Sequence, residues 1–118
     1  MNKAEQFIAS ARDAMAHRHW DATVSGAVLA GIAAADAYMV GRHGMRSRGD
    51  HREAIQLLRI HGGPVVAERA DTLTQLVGKK ATAQYGEKMS TEGQALQAIK
   101  RAERLIAWAK EALKGAET

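Results

Sequence analysis

The sequence predicts an all-α protein, an up-and-down bundle of five helices arranged as a four-helix core plus one. Three observations carry this. Apolar residues recur every three or four positions along five successive segments. Aromatic residues make up 4% of the chain and proline occurs once, a balance that favours helix over sheet. No alternating strand pattern or hairpin turn signal interrupts the helical spacing.

The centre of the bundle is expected at Asp21 to Gly41, DATVSGAVLAGIAAADAYMVG. Val24, Val28, Ile32, Ala35 and Met39 form one helical stripe. Ala22, Gly26, Ala30, Ala33 and Ala37 form a second, in which every residue is small. A helix apolar on nearly all sides is expected to be buried on nearly all sides, and a small stripe lets another backbone come close. One ionisable group, Asp36, lies inside the run. The stretch is just long enough to span a bilayer. Its Ala, Gly, Ser and Thr content and Asp36 argue against that, so no membrane is expected.

The first helix is expected from about Lys3 to His17, capped by Asn2 with Glu5 completing a capping box. Phe7, Ile8, Ala11, Ala14 and Met15 are its apolar stripe. His17-Arg-His-Trp20 turns the corner, and Asp21 is the expected cap of the central helix. That helix should end near Gly41 to Gly44. Asp50 starts the third helix, with Glu53 as a second box, Ile55, Leu57, Leu58 and Ile60 inward, and Gly62-Gly63 at its end. Pro64 suits the first turn of the fourth, where its missing N–H costs nothing. Val66, Ala70, Leu73 and Val77 give that helix its face, and Gly86 stops it. Thr91 and Gln94 make a third box. The last helix carries Ala95, Ile99, Ala102, Ile106, Ala109 and Leu113 on one side. Trp20 and Trp108 should seal the outer seams.

A chain of 118 residues is enough for one domain, 1–118, with its own core. No cysteine is present, so disulfides and thiolate metal sites are excluded. MNKAEQF has no apolar signal region, and with the lack of cysteine this leads to an expected cytoplasmic location. The net charge of +4 and pI of about 9.7 permit an acidic partner.

Three stretches carry a family resemblance. The first is the Ala-rich helix running into a glycine-containing loop, AGIAAADAYMVGRHGMRSRG. DHREAIQLL follows directly. The third is LVGKKATAQYG together with GQALQAIKRAERLIAWAKEAL, in which a basic residue, a small one and Tyr-Gly precede a final Ala-, Glu- and Arg-rich helix. Together they resemble the HEPN superfamily, in the form of a small prokaryotic HEPN-domain protein, over nearly the whole chain. The resemblance implies a four- or five-helix bundle, commonly a homodimer. It also implies either a metal-independent ribonuclease, as in toxins paired with a nucleotidyltransferase-like antitoxin, or a non-catalytic module that binds nucleotide, RNA or protein. The family's nuclease signature is Arg, four to six residues, then His, late in the chain, in a cleft between two copies. Here no histidine follows His61, and the late position reads Lys79 to Gln84. Glutamine does not titrate, and lysine lacks the guanidinium fork.

The spacing does occur earlier, at Arg46-Ser-Arg-Gly-Asp-His51. These two are the candidate catalytic pair if the chain is a nuclease. Arg46, Arg48 and Arg52 belong to a cationic segment from Arg42 to His61 that could hold phosphate at a helix start, or be a solvated loop. His51 is either a neutral base at that helix start or a surface histidine. Asp36 needs a partner, either Tyr38, Tyr85 or an arginine, or a polar cleft where two copies meet. Lys79, Lys80 and Tyr85 match the family's basic-x-x-Ala-x-Tyr element and could contact a nucleotide, or Tyr85 could close a helix end by packing. No metal-ligand spacing and no cofactor motif is present. The expected function is a dimeric, non-catalytic binding module for RNA, nucleotide or a protein partner. The alternatives are an endoribonuclease and a structural scaffold dimer.

Overall fold

The fold is a computed structural model. It describes residues 1–47, 51–61, 63–85 and 89–117, with side chains described outside 63–65, 79–85 and 115–117. These residues form five α-helices and no strand: α1 (Asn2–Ala16), α2 (Trp20–His43), α3 (His51–His61), α4 (Gly63–Tyr85) and α5 (Glu92–Glu117). The body measures 42 × 23 × 23 Å. At about 1.5 Å per residue, α5 alone spans most of the long axis.

Helix α2 touches all four of the others. Its buried residues are mostly small: Ala27, Ala30, Gly31, Ala34 and Ala35, interleaved with Val24, Val28 and Met39. Two glycines set the spacing. A Cβ on Gly26 would sit 3.1 Å from the Ala11 Cβ and 3.3 Å from its Cα, so α1 and α2 lie nearly backbone to backbone. A Cβ on Gly31 would sit 3.0 Å from Leu76 Cδ1 and 3.2 Å from Leu105 Cδ1, where α4 and α5 meet α2. Leu58, Leu73, Leu76 and Leu105 fill the remaining space and are fully buried.

The expectation of a helix buried on nearly every side needs correction. Ala22 is exposed, and Leu29, Ile32, Ala33 and Ala37 are half-buried. Val40 is 43% exposed. Four neighbours do not close the circle around α2, and one face stays open. In α3, Ile60 points outward at 71% exposure, while Ala54 and Leu58 carry the inward contact. In α4, Leu76 is buried and Val77 is only half-buried.

The helix starts also differ from the local reading. α1 begins at Asn2 after Met1, with no side-chain cap, so Asn2 is not the capping residue. Glu5 pairs with Lys110 of α5 instead of folding back on its own helix. That hydrogen bond holds the Glu5 carboxyl below its ordinary value. α2 begins at Trp20 after His19, so Asp21 lies in its first turn and is not the cap. The Asp21 carboxylate accepts the Ser90 N–H at 2.8 Å and ties the start of α5 to the start of α2. The Thr91–Gln94 box forms as expected, with reciprocal bonds of 2.9 and 3.2 Å.

Arg18 turns the α1–α2 corner in the left-handed region, φ 61. Its N–H reaches Met15 O and that of His19 reaches Ala14 O, the paired bonds of a Schellman stop. Such a conformation disfavours a residue with a Cβ. The guanidinium lies 5.8 Å from the centre of the Trp20 ring, a cation–π contact that offsets part of the cost. Gly44 ends α2 at φ 66, where glycine is the natural choice.

Two predictions follow from these contacts. Replacing either α2 glycine by alanine gains about 1 kcal/mol of helix propensity. At Gly31 the obstructing atoms are the ends of leucine side chains, which can turn away. At Gly26 they include backbone. Urea unfolding should therefore find Gly31→Ala near neutral and Gly26→Ala destabilised by about 1–2 kcal/mol. The second concerns Asp21, whose carboxyl is held below its ordinary value by hydrogen bonds from the Ser90 side chain and backbone. A depressed carboxyl stabilises the fold above the unfolded value of about 3.9 and ceases to do so as pH falls through the folded one. Asp21→Asn should cost about 1 kcal/mol at neutral pH. That gap should close below about pH 4 when both proteins are melted across pH.

Candidate functional site

The open face of α2 is the floor of a groove of about 600 Å³. Leu29, Ile32, Ala33, Ala37 and Val40 recur along this face at helical spacing and form the floor. Met1, just before α1, Phe7 of α1 and Leu113 of α5 also line it. Leu113 lies directly over Gly41, where a side chain on residue 41 would collide with it. The volume is in the range of small-ligand sites.

One end of the groove is polar. Asp36, Arg46, Ser47 and His51 all line it, and Lys3 stands on the α1 side. Asp36 is half-buried among apolar neighbours, so its carboxylate needs a partner. Among the described residues the partner is neither Tyr38 nor an arginine; the side chain of Tyr85 lies outside the described residues. The partner is Ser47, whose hydroxyl donates to Asp36 Oδ1 at 2.7 Å. Ser47 is itself 6% exposed, so the loop after Gly44 folds back over α2 and is pinned there. Among the described residues no cation lies within ion-pair distance of Asp36. Arg46 is exposed and, among the described residues, makes no ion pair. His51 is the first residue of α3.

Arg46 and His51, singled out by spacing alone, thus line one groove together with Asp36. Other members of the cationic segment have structural work. Arg59 pairs with Asp71 of α4 at 2.7 Å. Arg42 donates to Ala112 O at 3.4 Å. Arg52 is exposed on the first turn of α3 and does not line this groove. Arg48, and the side chains of Lys79, Lys80 and Tyr85, lie outside the described residues.

Sequence reasoning missed three contributors: Lys3, Phe7 and Ser47. Lys3 and Phe7 come from α1, and only the antiparallel α1–α2 packing brings them to this face. A signal for Ser47 was available in the need of Asp36 for a nearby donor. A second cluster was also missed. The Tyr38 ring lies 4.5 Å from Trp108 and meets His43 edge-on at 5.9 Å, and His43 lies 5.7 Å from His61. These rings lock the ends of α2 and α3 to α5. Among the described residues no three His, Asp or Glu side chains converge as metal ligands would.

Chemically, the arrangement combines a wide apolar floor with one carboxylate and a cationic end. It can hold a ligand that is flat or greasy at one end and anionic at the other. Comparison with known proteins bears on which ligand that is. No curated protein matches the chain. A family model, the HEPN domain, matches residues 1–112. The fold agrees with it, and the chain belongs to the HEPN domain family.

Proposed function

We propose that this chain is a non-catalytic HEPN module that binds RNA or a nucleotide in the α2 groove and acts as a homodimer. The observation that carries this is the polar end of the groove. Arg46, His51 and Lys3 line the same space as an apolar floor. Arg46, without an ion-pair partner among the described residues, presents a guanidinium that can hold phosphate in a fixed orientation, and the net charge of +4 draws a polyanion toward it. The floor gives a base somewhere dry to lie. The buried small residues of α2 are already used inside one chain, so a second copy would meet the outer rim of the groove. There it would wall the open side.

A second reading has one specific observation in its favour. Arg46 and His51, at nuclease-like spacing, line a common groove. In that reading His51 removes the proton of a ribose 2′-hydroxyl while its oxygen attacks phosphorus. The 5′-oxygen leaves with a proton taken from water, and Arg46 neutralises the charge that builds on the phosphate.

Titration of a labelled single-stranded RNA across salt concentrations tests the first reading. Binding should weaken steeply with salt, and Arg46→Ala should lower affinity and reduce the log–log slope by about one. The RNA should remain intact from pH 5 to 8. Failure of both RNA and mononucleotides to bind at low salt would end the proposal. Cleavage abolished by His51→Ala would move the assignment to the endoribonuclease. Light scattering reports the homodimer independently.

A further inference from the structure

We infer that the groove selects guanine, and that Asp36 is the residue that reads it. This rests on the proposal that the groove takes RNA or a nucleotide, and adds which base it takes. A carboxylate can only accept hydrogen bonds. Guanine is the one common base whose Watson–Crick edge presents two adjacent donors, N1–H and the N2 amino group. Adenine and cytosine each place an acceptor next to their amino donor. Uracil offers one N–H flanked by two carbonyl oxygens, which a carboxylate repels. An acceptor-only group set in an apolar groove therefore accepts guanine and leaves the other three bases with an unmatched or repelled edge.

Three features of the structure make Asp36 suited to this. The Ser47 hydroxyl, 2.7 Å from Oδ1, fixes the carboxylate and occupies one lone-pair position. Among the described residues, Oδ2 and the second lone pair of Oδ1 remain to meet two parallel donors. The floor beside it, Ile32, Ala33 and Ala37, is apolar, so an unmatched base edge resting there loses water without replacement.

The third feature is Phe7, the only phenylalanine in the chain, lining the same groove. Gly26 packs against Ala11 and sets the register of the antiparallel α1–α2 pair. Moving four residues along each helix places Phe7 across from Ala30, and Asp36 is about 9 Å further on. Helical side chains lean toward their own N-terminus, so Phe7 and Asp36 lean toward each other. Half-buried Ala33 lies between them and leaves room for a flat ring. A base resting against Phe7 can present its edge to Asp36. Its phosphate then falls toward Arg46, Lys3 and His51.

The test is competition binding of GMP, IMP, AMP, CMP and UMP to the full chain. GMP should bind about tenfold or more tighter than AMP, CMP and UMP, as for one bidentate base contact. IMP keeps N1–H and lacks the N2 amino group, so it should fall between. Asp36→Asn, whose amide no longer offers two acceptors, should erase the preference for GMP over AMP, with circular dichroism reporting that the fold is intact. Ser47→Ala, which keeps both acceptor oxygens, should retain part of the preference and guards against an Asp36 variant that fails to fold. Equal binding of all five nucleotides would overturn the guanine assignment and leave the phosphate-binding reading standing. A preference that persists in folded Asp36→Asn would overturn the role of Asp36. If none of the five binds, the guanine assignment falls, and the RNA titration decides the proposed function separately.

Discussion

The structure depends on how closely other helices can approach α2. The Gly26–Ala11 contact brings two backbones together without an intervening side chain. Gly31 admits three leucine ends, from Leu73, Leu76 and Leu105, against the opposite side of the same helix. Each glycine weakens the helix by about 1 kcal/mol relative to alanine. The return is a core of alanine and aliphatic side chains with one tyrosine and no other buried aromatic ring among the described residues. Small side chains each remove little apolar area from water, so such a core relies on many close contacts and tolerates gaps poorly.

That packing also produces the groove. α2 presents its small residues to α1, α4 and α5, and this leaves Leu29, Ile32 and Val40 on the remaining face. Three turns of half-exposed apolar surface would be a liability alone. Phe7 and Leu113 narrow it, and the loop after Gly44 folds back to close part of it. The closure is chemical as well as steric. Asp36 sits where a carboxylate would lack water, and Ser47 returns across eleven residues to supply a donor. Fold and site are therefore one construction. The residue that breaks the apolar run of the central helix is the same one that anchors the loop carrying Arg46.

Much of the helical frame was legible in the sequence because helix formation leaves a local periodic trace. Five segments, the Thr91–Gln94 box and the glycine stop after α2 could all be read from spacing. The caps of α1 and α2 could not. Glu5 and Asp21 occupy positions where local rules assign them to their own helix, and each is claimed by a donor from a distant segment, Lys110 or Ser90. A capping box is a short-range preference of about 1 kcal/mol, and a tertiary donor of similar strength decides the outcome. The site divides in the same way. Arg46 and His51 were legible as a spacing and Asp36 as an anomaly. Lys3 and Phe7 were not, because their presence follows from the antiparallel register of α1 on α2.

The composition of the groove bears on binding against catalysis. Transfer of a phosphoryl group from a 5′-oxygen to a 2′-oxygen requires one proton to be taken and another to be supplied. Among the described residues, the titratable side chains lining this groove are Lys3, Asp36, Arg46 and His51. Arginine does not give up its proton, and Asp36, accepting from Ser47 as a carboxylate, has no proton to supply. Within one copy the described lining residues thus offer His51 as the base and no separate proton donor of suitable range. A two-fold pairing of chains across the groove rim would bring a second His51 to the same cleft and complete the set. Affinity for a phosphate needs none of this. In the proposed reading a nucleotide requires the guanidinium for its phosphate and the apolar floor and carboxylate for its base, all present in a single copy. Binding in that reading is a property of one chain, whereas turnover would be a property of two.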